Sequence, residues 1–154
     1  MKIRSATQED ARDIHDLHCR SLRQLWSSHY SDEQIEGWIA GRSPKGYLPG
    51  ISEGEMFVAV EGSSVLGFGH AVPGVIKAIY VAPEAVGRGV GRLLLERAMA
   101  IASGDGTKLV RLQSTLNAES FYRHFGFSSV RRSSVSKGEV SIPVVVMQLP
   151  VQTN

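Results

Sequence analysis

Apolar and polar positions alternate around Ile3 and predict a short first strand. Thr7 and Asp10 follow, three apart, in the arrangement of a helix-opening capping box with Asp in place of the usual Glu. Ile14, Leu17, Ser21 and Leu25 then recur at helical spacing and give that helix one face to bury. A second helix is expected from Ser31, with Asp32 and Glu33 suiting its positive N-terminal end, Gln34, Ile35 and Trp38 following, and Gly41 ending it. Pro44, Gly46, Pro49 and Gly50 predict a loop from Arg42 to Gly54. From Met56 the period shortens to that of strands: MFVAVEG, a Gly62-Ser63-Ser64 turn, VLGFGHAV, a Pro73-Gly74 turn and VIKAIYV. AVGRGVGRLLLERAMAIA runs a glycine-rich turn into an amphipathic helix that offers Leu94, Leu95, Ala98 and Ile101 for packing. Lys108 to Gln113 reads as a strand and Asn117 to Phe125 as a short helix. Closing strands are expected around Phe127–Arg131 and Val140–Leu149, giving the order βααβββαβαββ.

Composition narrows what such a chain does. Its 154 residues suit one domain, and 42% hydrophobic with 21% charged residues is the make-up of a chain that buries a core rather than a disordered or collagen-like one. Seventeen Lys+Arg against fifteen Asp+Glu leave a formal charge of +2, too little for a dedicated nucleic-acid binder. Twelve of the seventeen are Arg, which grips phosphate in two-point geometry. Cys19 is the single cysteine, so an internal disulfide is impossible and a cysteine-based zinc site lacks ligands. The charged N-terminus MKIRSATQED is unlike a signal peptide, and no apolar run reaches the roughly eighteen residues of a membrane span. The expectation is a cytoplasmic protein without membrane or nucleic-acid partners.

Gly87-Arg88-Gly89-Val90-Gly91 stands between a strand and a helix, where unpaired backbone N–H groups and the helix dipole favour a phosphate. Arg92 occupies the place of the third glycine of a dinucleotide fingerprint, and the Gly-Lys-Ser/Thr ending of a P-loop is absent. A glycine turn that merely starts a helix fits this string equally well. The second unit is Asn117-Ala118-Glu119-Ser120-Phe121-Tyr122-Arg123-His124-Phe125-Gly126-Phe127, whose aromatic residues alone read as core.

Taken together, the strand YVAPE, the glycine turn and the Asn-Ala-x-x-Phe-Tyr-x-x-x-Gly-Phe pattern resemble the GCN5-related N-acetyltransferase superfamily, from about Met56 to Leu149. The resemblance implies one N-acetyltransferase domain over residues 1–154, of the α/β (α+β) class. Its central sheet would be mixed and mostly antiparallel, with helices on both faces and a splayed pair, Val75–Val81 beside Lys108–Gln113. Acetyl-CoA would be the co-substrate, without a metal, and the acceptor a primary amine of a small molecule or peptide; a homodimer is left open. By the same resemblance, backbone groups of Ile79 and Val81 would bond the pantetheine arm. The N–H groups of Val86, Gly87, Arg88, Gly89, Val90 and Gly91, with Arg92, would hold the pyrophosphate, and Asn117 would contact the CoA arm or else cap the short helix. Val86 departs from the pattern, which has Arg or Gln there, and this should weaken CoA binding without abolishing it, since backbone donors carry most of the phosphate contact.

Acetyl transfer to an amine needs a base for the amine proton and an acid for the departing thiolate. Tyr122 matches the family's usual acid, and the ordinary tyrosine pKa of about 10 keeps it protonated at neutral pH; packing or a simple CoA contact are its alternatives. A Glu common on the strand matching VIKAIYV is missing, with Val75 near its place, so the base comes from elsewhere. His70, at the end of VLGFGHAV, is the first candidate, against the commoner role of a satisfied, half-buried histidine; Glu61, Glu84 and His29 are weaker ones. These gaps also admit an alternative, a catalytically impaired acyl-CoA-binding or interaction module of the same fold. His15 and Cys19 stand four apart on the first helix, two metal ligands without a third. Arg131-Arg132 reads as a solvated hairpin rather than a nucleic-acid patch. Trp26, Tyr30, Trp38 and Tyr47 either line an acceptor pocket or fill the core.

Overall fold

A computed structural model describes residues 1–151; the last three residues of the expected 1–154 domain lie outside the described part. Seven strands, β1 (Lys2–Ser5), β2 (Met56–Glu61), β3 (Ser64–Val72), β4 (Val75–Val81), β5 (Leu109–Ser114), β6 (Ser128–Lys137) and β7 (Val140–Pro150), form one sheet in the order β1-β2-β3-β4-β5-β7-β6. The helices are α1 (Ala11–Leu25), α2 (Asp32–Ile39), α3 (Leu48–Ser52), α4 (Val90–Ala102) and α5 (Glu119–His124). Every neighbouring pair of strands is antiparallel except β4 and β5, which run parallel and pair only at Val75–Arg111 and Ile76–Leu112. Beyond Ile76 the two strands part, as expected of the splayed pair.

Helices cover both faces, and two adjacent residues of β3 show it. Successive strand residues point to opposite sides of a sheet. A Cβ added at Gly67 would lie 2.8 Å from Leu94 of α4 and 2.8 Å from the Tyr80 carbonyl oxygen. On the other face, the Phe68 ring meets His18 of α1 with ring centroids 5.3 Å apart. Gly67 thus lets α4 sit close against β3 and β4, which aims the start of α4 at the open end of β4. The face of α1 foreseen for burial is buried at Ile14, Leu17 and Ser21 and half-buried at Leu25. A smaller cluster of Leu22, Trp26, Tyr30, Ile35 and Ile142 ties α1 and α2 to β7. Trp26 and Tyr30 belong to this core, and the Tyr30 hydroxyl donates to the Pro143 carbonyl at 2.7 Å while accepting the Leu116 N–H at 2.9 Å.

Both helix starts follow their boxes. The Ser31 hydroxyl accepts the Gln34 backbone N–H at 3.1 Å and the Gln34 side-chain Oε1 accepts the Ser31 N–H at 3.0 Å. At the first box the Thr7 N–H donates to Asp10 Oδ2 at 2.7 Å, a 3₁₀ turn intervening before α1. Asp10 also takes both ends of the Arg4 guanidinium, at 2.8 and 3.0 Å, and so clips β1 to α1. The hydrogen bond from Arg4 outweighs the burial that opposes it and holds the Asp10 carboxyl below the usual carboxylate range. Asp10→Ala should cost about 1–2 kcal/mol in denaturant titrations at neutral pH. Because the folded-state pKa is lowered, this contribution is complete above the ordinary carboxylate pKa of about 3.9 and lost as the pH falls through the lower folded value. The gap between Asp10→Ala and the parent protein should therefore narrow in acid.

Two expectations need correction. The segment Arg42 to Gly54 is not simply a loop: Pro44–Tyr47 forms a 3₁₀ turn that leads into α3. Pro49 falls in the first turn of α3, where the missing N–H costs nothing. The sixth strand does not stop near Arg131 but continues to Lys137, paired with β7 up to Lys137–Val140, its Ser-rich stretch lying on a largely exposed hairpin. Among the described residues no helix is long and apolar enough to cross a membrane.

Candidate active site

Where β4 leaves β5, one edge of β4 from Lys77 onward has no strand partner. Buried backbone amides seek partners, so this edge and the gap beside it are suited to an extended ligand rich in amides. The gap is closed on its far side by α5, whose Tyr122 is 6% exposed and borders residues of both β4 and β5. It continues toward the surface as a cavity of about 190 Å³ bordered by Ile79, Val81, Val86, Gly91, Asn117 and Tyr122. Six of the residues singled out in the sequence thus share one cleft.

The glycine turn lies at the mouth. Gly87 and Gly89 have φ of +88° and +81°, the left-handed region that side chains rarely adopt, with open space where a Cβ would project. Backbone conformation, and not crowding, is what demands glycine at both. Helix α4 begins at Val90, and its first intrahelical bond is Leu93 N–H to the Gly89 carbonyl at 3.2 Å. The N–H groups of Val90, Gly91 and Arg92 come before that bond and point out of the helix end, where the dipole favours an anion. Gly91 serves packing instead: a Cβ there would come within 3.1 Å of the Phe121 ring.

The cations of the turn are engaged elsewhere. Arg88 donates to both oxygens of Glu61 at 2.9 Å, and Arg92 Nε to Glu96 at 3.2 Å. Val86 is 56% exposed. Asn117 is no helix cap; Thr115 holds that position before the 3₁₀ turn, and Asn117 Oδ1 is buried without a partner among the described residues. An orphaned buried acceptor on the cleft wall is what a ligand N–H or hydroxyl would satisfy. The Tyr122 ring packs edge-on against Phe121 and Phe127, and burial pushes its hydroxyl well above the ordinary tyrosine pKa.

On the other side of β4 lies a second cavity of about 350 Å³, walled by His18, Trp38, Tyr47, Phe68, His70 and Tyr80 among others. Ala78 and Tyr80 border both this cavity and the gap beside β5, so β4 is their common wall. His70 and Glu55 meet through Nε2 and Oε1 at 2.8 Å, and this bond holds the Glu55 carboxyl below its usual range. His18 Nδ1 and the Tyr47 hydroxyl are 2.9 Å apart. Burial, aided by the charge of Arg42, lowers the His18 pKa to about 3, so this imidazole is neutral. Burial likewise raises the Tyr47 hydroxyl to about 12. Trp38 and Tyr47 therefore line the cavity, whereas Trp26 and Tyr30 fill core. His18 was absent from the sequence reading although its place four residues after Ile14, on the buried face of α1, was a usable signal.

The weaker base candidates border neither the cleft nor this cavity. Glu61 holds Arg88, Glu84 holds Arg20 at 2.8 Å, and His29 is exposed with Nδ1 beside Ser28. His15 Nε2 lies 3.8 Å from Cys19 Sγ, and no group of three or more metal-ligating side chains occurs among the described residues.

Comparison with known proteins bears on this arrangement. Residues 52–129 match the model of the acetyltransferase (GNAT) domain. The chain is 24% identical over 135 residues to an uncharacterized N-acetyltransferase, YafP, of Escherichia coli K12, covering 88% of this chain and 86% of the relative. It superposes on a GCN5-related N-acetyltransferase of Rhodopseudomonas palustris with TM-score 0.91 and 26% identity, over 97% of this chain and 95% of that one. The PaiA N-acetyltransferase of Thermoplasma acidophilum, solved with coenzyme A, gives TM-score 0.77 and 23% identity, over 97% and 98% of the two chains.

Proposed function

This chain belongs to the GNAT acetyltransferase family, and from that premise we propose that it acts as a single domain that transfers the acetyl group of acetyl-CoA to a primary amine. The observation that carries the reading is the parting of β4 from β5, with a buried tyrosine inside the gap and the start of α4, whose dipole favours an anion, at its mouth. Ile79 and Val81 of the free strand edge, together with Asn117, would hold the pantetheine arm. Of the turn's backbone N–H groups, those of Gly87, Gly89, Val90, Gly91 and Arg92 would hold the pyrophosphate, since Val86 and Arg88 donate to the Pro83 and Ala85 carbonyls at 3.4 and 3.3 Å. Acetyl-CoA, when bound, supplies a thioester carbonyl open to attack by nitrogen.

The remaining roles fall to side chains on either side of β4. The amine enters through the larger cavity, where His70, oriented by Glu55, takes the proton that the nitrogen must lose as the new C–N bond forms. A backbone N–H of β4 near Ile79 polarises the carbonyl. The Tyr122 hydroxyl gives its proton to the sulfur as the C–S bond breaks; its raised pKa ensures that the proton is present to give. The pairing of Arg88 with Glu61 and the bare Val86 support a phosphate site built from backbone donors, with an affinity below that of a turn carrying free cations.

A ligand that binds only the folded state stabilises it by about 2.7 kcal/mol at a hundredfold excess over Kd. For a domain of this size that amounts to roughly 5–10 °C in Tm. Acetyl-CoA should raise Tm by that order while ATP and NAD leave it unchanged. Protection by ATP or NAD in place of acetyl-CoA would reject the reading. Tight acetyl-CoA binding without thiol release across amines of every charge class would leave the impaired binding module as the better description.

A further inference from the structure

The larger cavity carries information about the acceptor that the family does not. Two cations, Arg42 and Lys77, border it, and no Asp or Glu does. Glu55, beside the cavity, is already bonded to His70. Arg42 is anchored on Trp38, its Nε donating to the Trp38 carbonyl at 2.8 Å and its guanidinium carbon lying 5.7 Å from the centre of the Trp38 ring, and its side chain also reaches the Tyr47 hydroxyl. Among the described residues no carboxylate lies within 4 Å of it, as is true also of Arg12, Arg97, Arg111 and Arg131, whereas the other seven arginines each have one. Arg42 thus borders the cavity without a carboxylate partner, and its guanidinium has the planar fork that matches a carboxylate.

Aromatic rings make up much of the rest of the wall, beside His18, His70 and Ser43. Phe68 and Tyr80 stack at 5.5 Å, and Tyr47 stands edge-on to Phe68 at 6.1 Å. The field of Arg42 reaches inward as well, since after burial it is the main influence holding His18 neutral. A polyamine or aminoglycoside would bring further positive charge against Arg42 and Lys77, while Glu55, the carboxylate beside the cavity, is already bonded to His70. The geometry points to an acceptor that carries a carboxylate beside its amine, an amino acid or amino-acid-like molecule, with Arg42 as the partner of that carboxylate and the Tyr47–Phe68–Tyr80 surface against its apolar part. This assignment rests on the acetyl-transfer reading and names the substrate class of the same site.

Product-like probes test it without relying on turnover. N-acetyl-L-phenylalanine and N-acetyl-L-leucine are titrated calorimetrically into the CoA-loaded protein beside their primary amides, which have nearly the same shape and no charge. A hydrogen-bonded charge pair corresponds to about 10–100-fold in affinity, and at least one acid should exceed its amide by that factor. Arg42→Met should bring the acid-to-amide ratio close to one, and Arg42→Lys should keep part of it. Amides that bind as tightly as the acids, acids that do not bind, or a preference that survives Arg42→Met would overturn the assignment. Acetyl-CoA protection of Tm, measured on the parent and both variants, separates the two levels. Protection with no preference for the acids removes only the substrate class, and absence of protection in the parent removes the acetyl-transfer reading together with it.

Discussion

Tyr122→Phe should lower the acetyl-transfer rate constant by about 10²–10⁴-fold, the usual worth of a positioned general acid. The ring packs against Phe121 and Phe127 at centroid distances of 5.2 and 5.7 Å, so phenylalanine keeps the contacts and removes only the hydroxyl. Acetyl-CoA should accordingly protect the variant as it protects the parent, with stability changed by less than about 1 kcal/mol. The comparison belongs in single-turnover experiments, because product release can limit the steady state and hide the chemical step. A variant with weakened acetyl-CoA binding and an unchanged chemical step would make Tyr122 a contact and not an acid. An unchanged rate and unchanged binding would leave solvent as the proton donor.

His70→Gln carries the second large expectation, a fall of about 10²-fold or more in the same rate constant, again with acetyl-CoA protection intact. Glutamine keeps a polar side chain toward Glu55 but cannot accept the amine proton. Glu55→Gln should do less, because it disturbs only the orientation of the imidazole through the 2.8 Å bond. If Glu55 acts only through His70, the double variant should be no slower than His70→Gln alone, since groups that work as one unit lose their effects together. Additive losses would give Glu55 a separate role, and a His70→Gln variant with full single-turnover rate would leave the amine to lose its proton to water.

Local pattern carried much of this protein. The strand periods from Met56 to Val81, the Ser31 box and the glycine turn each depend on residues a few positions apart, and each formed where the pattern placed it. The splayed pair followed from resemblance, since nothing local in VIKAIYV or KLVRLQ states where two strands will part. What escaped was chemistry made by distant residues. His18 with Tyr47, His70 with Glu55 and Arg88 with Glu61 are separated by 29, 15 and 27 positions. A side chain's role was legible only where its partners were near in sequence; nothing around Arg88 in the glycine turn announces Glu61, which only the fold brings to it. The helix α3 was hidden for a different reason, because proline is a breaker everywhere except the first turn, where Pro49 sits.

The narrow contact between β4 and β5 divides the backbone ladder into two leaves, β1–β4 and β5–β7. The seam consists of Val75–Arg111 and Ile76–Leu112, with the Arg111 N–H also donating to the Gly74 carbonyl at 2.9 Å. One hydrophobic core nevertheless runs through both leaves, from Val58 and Phe68 on one to Val110 and Met147 on the other, and Tyr122 is part of it. Cooperativity between the leaves therefore depends on side-chain mortar more than on hydrogen bonds. The ring proposed to carry the reactive hydroxyl is one of those stones, so in this molecule the reactive group and the coupling of the two halves cannot be altered independently by any substitution that removes the ring.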